Sequence, residues 1–494
     1  MSSTQGNLYQ TDQIRQIEQL AMQSCAITAH DLMQRSGLTA FECLREYWPK
    51  AKKIAVFCGT GNNGGDGFVL AELAYARGYI VTIYLIGSVD RITSEAAIAA
   101  FKACKQADIP ILLFNSTITN IDADLIVDAI CGIGLQKPLR DTAVHAVQLM
   151  QSQSLPILSL DIPTGIEADT GEVLGAAIKA NATITFIAVK IGLLMSAGLA
   201  HRGKLICDDL ALPAELFETV KPIAERLKIK TYRSFLKSRS RDWHKGLSGH
   251  VLIIGSGPGF SGASRLAAEA ALRVGAGLVT IATHPDHAAL LNITRPEIMC
   301  HGVHDATELQ PLLDKAKVII IGPGLTQNDW ALNLFNKVIS QPQPMVVDAD
   351  GLNLLATHPM QHKNWVLTPH PGEAARLLHT STQDIQSNRL AAAQKIQQQY
   401  GGTCVLKGAG TIITSPHLLP SVCDQGNAGM ATAGMGDVLS GVIGGLLAQS
   451  VPMEQATRLG VVWHAIAGDR AAQEGERGLL AMDLMPYLRQ LCNE

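Results

Sequence analysis

Short β-branched and apolar runs alternate along the chain with stretches in which apolar residues recur at helical spacing. In the first part the runs cover residues 53–58, 80–86, 124–129, 156–160, 182–189 and 204–207, and each reads as a strand. Helices are expected between them, for example over 67–77 and 142–151. Ahead of the first run, residues 11–48 predict a helical preface, with Ile14, Ile17, Leu20 and Ala21 on one face. Strand alternating with helix, without hairpin turn signals, predicts an α/β domain with a doubly wound, Rossmann-like parallel sheet.

The pattern lapses between Pro213 and His250. Lys221, Arg226, Lys228, Lys230, Arg233, Lys237, Arg239 and Arg241 crowd a stretch with little apolar periodicity. Acidic residues interleave it and aromatics are few, so it reads as an interdomain linker and not as a nucleic-acid tail. Beyond it HVLIIGS, GLVTIAT, AKVIIIG, PMVVDAD, NWVLTP and TCVLKG read as successive strands, each followed by a Gly- or Pro-rich turn. The two series share no period, which predicts two different domains, 1–220 and 221–494, and no duplication.

Composition narrows the class. A chain of 494 residues exceeds one hydrophobic core, and 47% hydrophobic with 17% charged residues excludes a disordered protein. Forty Lys and Arg against 43 Asp and Glu leave no basic field for nucleic acid. Ten cysteines without a CxxC pair read as reduced thiols, which points to the cytoplasm. No signal peptide is expected from the N-terminus. The most membrane-like stretch, 182–200, carries Lys190 and Gly192 at its middle and reads as a strand and loop, so no membrane partner is expected. A homo-oligomer is expected from the size and class.

The loop GTGNNGGDG (59–67) contains G-x-G-x-x-G after a strand, as a dinucleotide fold would. Such a fold also needs an acid at the end of the second strand, about 20 residues on, to hold a ribose. The nearest acid, Asp90, comes too late, and Asn62, Asn63 and Asp66 are foreign to that fingerprint. Three strand ends offer something else: this loop, VDAICGIGLQKPLR (127–140) and LDIPTGIEADTG (160–171). A single strand-end carboxylate is often a helix cap. Asp128 and Asp161 beside Gly-rich loops and an Asn-rich turn favour a site. Oxygen donors from Asn63, Asp128 and Thr164 suit a hard monovalent cation.

LMQRSG (32–37), GTGNNGGDG, VDAICGIGL and DIPTG together resemble the NAD(P)H-hydrate epimerase domain over most of residues 10–215. The resemblance implies epimerisation of hydrated NADH or NADPH between R and S forms. It implies hydrate contacts at Asn62, Asn63, Gly64, Gly65 and Asp66, and at Gly132, Ile133, Gly134, Leu135, Gln136, Lys137 and Pro138. Asp161 would be the acid/base, and Asn63, Asp128 and Thr164 would bind potassium.

In the second part GSGPGFSGAS (255–264) again links a strand to a helix expected over 265–274. The sharper segment is NAGMATAGMGDVLSGVIGGLLAQ (427–449), where a Gly-rich turn opens a helix with Asp437 in its first turn. Such a turn aims N–H groups at an anion, and Asp437 would be a base beside it. The alternative is a capping residue with glycines for helix packing. No GxxxxGK[ST] is present, which disfavours a P-loop enzyme. GPGL (322–325), DADGLN (348–353), TPHPGE (368–373), KGAGT (407–411) and AGMGD (433–437) resemble the ADP-dependent NAD(P)H-hydrate dehydratase domain, of ribokinase-like fold, over about residues 240–490. The resemblance implies hydrate contacts at Ala263, Gly324, His370 and Asp437. It implies ADP contacts at Lys407, Gly408, Ala409, Gly410, Thr411 and Gly436, with Mg2+ assisting. Glu373 is either a supporting acid or a first-turn helix acid. Two rivals stay open: a kinase that releases a stable phosphoester, and a first domain that is only a binding module.

Overall fold

The computed structural model describes residues 6–236 and 238–494, so Lys237 of the basic stretch and the first five residues of the N-terminus lie outside it. The chain divides into two compact units, Met1–Glu225 and Arg226–Glu494. Among the described residues no helix is long and apolar enough to cross a membrane.

In the first unit the sheet runs Ile111–Leu113, Ile80–Leu85, Lys53–Cys58, Leu125–Ala129, Ile157–Leu160, Ala182–Phe186, Lys204–Asp208, all neighbours parallel. Parallel sheets need cover on both faces, and the first strand shows why its run is continuously apolar. Ile54, Val56 and Cys58 enter one core with the helical preface, while Ala55 and Phe57 enter a second core with Tyr84 and Phe114. The order of connection reverses between Lys53–Cys58 and Leu125–Ala129, where a doubly wound sheet opens a crevice at its carboxyl edge.

Two expected elements differ. The helix expected over 67–77 is Asn62–Ala76, so the Asn–Gly motif forms its first turn and a half instead of a loop. A Cβ on Gly64 would collide with the Gly59 carbonyl oxygen, and one on Gly59 with that of Ile130. The glycines therefore let this helix start directly against two strand ends. The run 182–189 breaks after Phe186, because Ile187 takes a φ of +70° and the chain turns to drive Lys190 inward.

In the second unit the order is Met299–Gly302, Leu278–Thr283, His250–Ile254, Val318–Ile321, Met345–Val347, Trp365–Leu367, Thr403–Leu406, Thr411–Thr414, Ser421–Cys423. Neighbours are parallel as far as Thr403–Leu406, and the last two strands are antiparallel. The order again reverses beside the first strand in sequence, between His250–Ile254 and Val318–Ile321. Helices Ser261–Arg273 and Met435–Ala448 pack together above this point, and a Cβ on Gly441 would collide with the Ala267 carbonyl. Much of the stretch expected to be a linker belongs to this unit, with short helices at Ile229–Tyr232 and Arg233–Phe235.

Candidate active site

At the crevice of the first unit lies a cavity of about 590 Å³. Asn62, Asn63, Asp66, Gly132, Ile133, Gly134, Leu135 and Asp161 line it, as expected from the motifs. Gln136, Lys137 and Pro138 lie beyond the lining, and Gly64 and Gly65 face the packing, against Gly59 and Met33.

Asp161 follows the strand Ile157–Leu160 with a φ of +62°, a left-handed conformation uncommon outside glycine and a frequent mark of a site. Its Oδ1 accepts from Lys190 Nζ and from Thr185 Oγ1 at 3.2 Å. Lys190 is only 1% exposed, and its ammonium also donates to Phe186 O at 2.7 Å and Thr185 Oγ1 at 3.1 Å. The second carboxylate oxygen takes no hydrogen bond among the described residues. It faces Gly132, where a Cβ would stand 3.1 Å from it and 3.3 Å from Asn63 Cγ. The missing side chain at Gly132 thus leaves Asp161 and Asn63 open to the cavity.

Two further acids line the cavity. Burial, then the charges of Asp161 and Glu18, pushes Asp66 well up and favours its neutral acid. Burial also raises Glu18, with Lys190 pulling the other way. Glu18 and Lys190 escaped the motif search. Lys190 carried a signal, since a lysine within an apolar run needs a buried partner. Glu18 carried none, being one polar residue on an amphipathic helix.

Asp128 is fully buried and hydrogen-bonded. Its Oδ1 accepts from Thr164 Oγ1 at 2.6 Å, and its Oδ2 from Ser159 Oγ at 2.8 Å and Thr164 N at 2.9 Å. Thr164 Oγ1 in turn accepts from Cys131 N at 3.0 Å, next to Gly132. Asn63, on the other side of Gly132, has both side-chain amide atoms buried without a partner. An orphaned buried amide costs about 1–3 kcal/mol, and a ligand would remove that cost.

The second unit gathers acids around Lys407. Its ammonium lies 2.8 Å from Asp348 Oδ1 and 3.7 Å from Glu373 Oε2, while Ser440 Oγ donates to Asp348 Oδ2 at 2.7 Å. Burial alone would discharge Lys407, but Asp348 and Glu373 hold its pKa above the ordinary value. Lys407 begins the turn expected to bind nucleotide, its ammonium sits in this acid cluster, and a Cβ on Gly436 would stand 3.2 Å from it.

Asp437 is the third residue of the helix Met435–Ala448. Burial first, then the charge of Asp348, raises its carboxyl to about 7, with Lys407 opposing. Glu373 is likewise raised to about 7, by burial and by Asp348. His370 caps the helix Pro371–Leu377 through Nδ1, and Glu373 Oε2 accepts from the His370 backbone N–H at 2.7 Å. Glu373 is therefore both a helix-start acid and a neighbour of Lys407.

The turn Gly408–Ala409–Gly410 is held from below by Arg389, which is 2% exposed and donates to the carbonyls of Leu406, Lys407 and Gly410. Thr411 Oγ1 closes the turn onto Gly408 O at 3.1 Å. Ala263 and Gly324 adjoin, since a Cβ on Gly324 would stand 3.1 Å from that of Ala263. Asp348 opens the DADGLN motif and Ser440 lies within the 427–449 segment, but their pairing, like that of Arg389, carries no sequence signal, because only the fold brings these segments together. Among the described residues no group of three or more His, Cys, Asp and Glu could hold a metal ion.

A family profile described as NAD(P)H-hydrate dehydratase matches residues 251–490, and one described as YjeF-related protein N-terminus matches 29–192. The chain is 49% identical over 487 residues to the bifunctional NAD(P)H-hydrate repair enzyme of Coxiella burnetii, covering 98% of this chain and 99% of that protein. The chain belongs to this family. The repair enzyme of the same name from Escherichia coli is 43% identical, covering 98% of this chain and 94% of its own length. A ribokinase-like superfamily protein of Enterococcus faecalis matches with a TM-score of 0.51 and 30% identity, covering 54% of this chain and 95% of that one. The first unit is accordingly the epimerase of a bifunctional NAD(P)H-hydrate repair enzyme, and the second its dehydratase, with a ribokinase-like fold.

Proposed function

We propose that the two clusters divide the repair between them, with Asp161 as the acid/base of epimerisation and Asp437 as the base of an ADP-dependent dehydration. The observation that carries this is the state of the two carboxylates. Asp161 is fixed through one oxygen by Lys190 and keeps the other open, and Asp437 is a half-buried acid poised near neutrality beside Lys407.

In the epimerase the hydrate carbon bears both the hydroxyl and the ring nitrogen. The nitrogen lone pair expels the oxygen as Asp161 protonates it, and water then adds to the same carbon from the other face, losing its proton to a carboxylate. Lys190 keeps Asp161 oriented, and the Asn62–Asp66 turn and Gly132–Leu135 enclose the substrate. Potassium fits the donor set: Asn63 offers an unpartnered amide oxygen, and Asp128 and Thr164 offer oxygens. When bound, it supplies positive charge for the substrate's phosphates.

In the dehydratase, hydroxide is a poor leaving group. Asp437 removes the proton of the hydrate hydroxyl, whose oxygen attacks the terminal phosphorus of ADP and releases AMP. The phosphorylated oxygen then leaves as phosphate, and loss of a proton from the adjacent ring carbon restores the double bond of NAD(P)H. Lys407 and the N–H groups around Gly436 stabilise the transferring charge. The Gly408–Thr411 turn holds the nucleotide, and Ala263, Gly324 and His370 border the hydrate. Mg2+ would supply further charge on the phosphates, held mainly by them, since the described residues offer no ligand cage.

Hydrate labelled with 18O in its hydroxyl tests this order of bonds. The label is expected in the orthophosphate released. Orthophosphate without label would contradict phosphoryl transfer to the hydrate, and a stable labelled phosphoester would favour the kinase alternative.

A further inference from the structure

The second unit carries another cavity, of about 730 Å³, far along the fold from Asp437. It lies at the amino edge of the sheet, around the C-terminal ends of the helices Ser261–Arg273, Met435–Ala448 and Met485–Leu491. Asp437 and Ala263 sit at the opposite ends of the first two. Arg233, Arg239, Arg273, Arg295 and Arg489 line this cavity, against only Glu269 and Glu297.

Arginines suit helix C-termini by offsetting the dipole, and that explanation must be exhausted first. Arg239 serves it, donating to Gly275 O. Gln449 serves it as well, donating to Val274 O and Gly445 O at 2.9 Å each. Glu269, 1% exposed, is shared by Arg265, Arg273 and Arg295, and Arg295 also reaches Glu297 at 3.9 Å, so two carboxylates are set against three guanidinium charges. Arg489 serves no carbonyl and no carboxylate among the described residues, and Arg233 stands near only the Glu494 carboxylate, which Arg470 already pairs. One unpartnered guanidinium group, a second that shares its only nearby carboxylate with Arg470, and three arginines on two carboxylates thus leave an excess of positive charge around a space within the usual size range of small-molecule sites. Guanidinium groups fit phosphate oxygens in pairs.

We propose that this cavity is a second anion site, which takes a small molecule carrying a di- or triphosphate. A diphosphate is favoured over a single phosphoryl group because the arginines come from separate segments around a space wider than one anion. The site is distinct from the nucleotide-binding turn at Gly408–Thr411.

Calorimetric titration of the full chain with inorganic pyrophosphate tests the proposal. The probe is compared on the wild type, the double variant Arg233→Ala with Arg489→Ala, and the charge reversal Arg489→Glu. Neither arginine makes a hydrogen bond or close ion pair among the described residues, so both variants are expected to fold. Pyrophosphate should bind the wild type at least tenfold more tightly than either variant, more tightly than orthophosphate does, and less tightly as salt is raised. Occupancy of the catalytic nucleotide site is read separately as competition with ADP, which the variants should leave unchanged together with dehydratase kcat/KM. Equal pyrophosphate affinity in wild type and variants would overturn the site. A change of oligomeric state in sedimentation, with affinity unaltered, would overturn it too and make the arginines an interface between copies.

Discussion

Asp437 and Asp161 are both strand- or turn-end carboxylates, yet their surroundings give them opposite sensitivities. Asp437→Asn is expected to lower dehydration by about 10²–10⁴-fold and leave epimerisation intact, measured on each purified epimer. The base must be ionised to act, so dehydratase kcat/KM should rise with pH and level off above about 7. The same raised pKa means that the folded unit binds this proton more tightly than the unfolded chain does. The stability it contributes is fully present below the unfolded value near 4 and is lost as pH rises through about 7. Asp437→Asn should therefore melt a few degrees above wild type at pH 8 and converge with it in acid. Asp161→Ala behaves differently, because it strands the buried Lys190 ammonium, a loss of about 3–5 kcal/mol. Asp161→Asn keeps a partner for Lys190 and should abolish epimerisation alone, with the melting curve changed far less than in the alanine variant. Retained epimerisation in Asp161→Asn would reduce Asp161 to a structural ion-pair partner.

The strand Lys53–Cys58 could be read from the sequence residue for residue, because a continuous apolar run between turns has one physical reading. The helix Asn62–Ala76 could not be read at its start. Asn and Gly are poor helix formers, and only the close approach of Gly59, Gly64 and Ile130 makes them necessary there. The edge strand Ile111–Leu113 is short and largely exposed, so it left no burial pattern to find. The antiparallel strands Thr411–Thr414 and Ser421–Cys423 were also missed, hidden behind a turn that reads equally well as ligand loop. Of the sites, the motif segments were legible, with Asp348 and Ser440 within them, but the Asp348–Ser440 and Asp348–Lys407 pairings and the support from Arg389 join segments distant in sequence. Helix packing gives its own prediction. Gly441→Ala inserts a methyl against the Ala267 carbonyl and should destabilise the dehydratase unit by about 1–3 kcal/mol or more, read by chemical denaturation. An unchanged denaturation midpoint would mean that the helix pair has slack which this packing denies.

At the scale of the whole molecule, two units that share one strand order but carry different motifs complete one repair, since a dehydratase acting on the S hydrate would need the R hydrate converted to S by the epimerase. Each unit keeps its own core and its own carboxylate chemistry. A mixture of full-length Asp161→Asn and Asp437→Asn chains is therefore expected to repair R hydrate by passing the S epimer through solution, at a rate that depends on protein concentration. Failure of the mixture, with each variant keeping its remaining activity, would mean that the hydrate does not leave the chain that epimerised it. The most direct test of the account supplies the R hydrate of NADPH, with ADP, Mg2+ and potassium, to the wild type and to each single variant. The return of the dihydronicotinamide absorbance band is then followed. The account predicts full recovery with the wild type, only the slow spontaneous rate with Asp161→Asn, and none with Asp437→Asn although the R and S forms equilibrate. Recovery at the wild-type rate in either variant would contradict it.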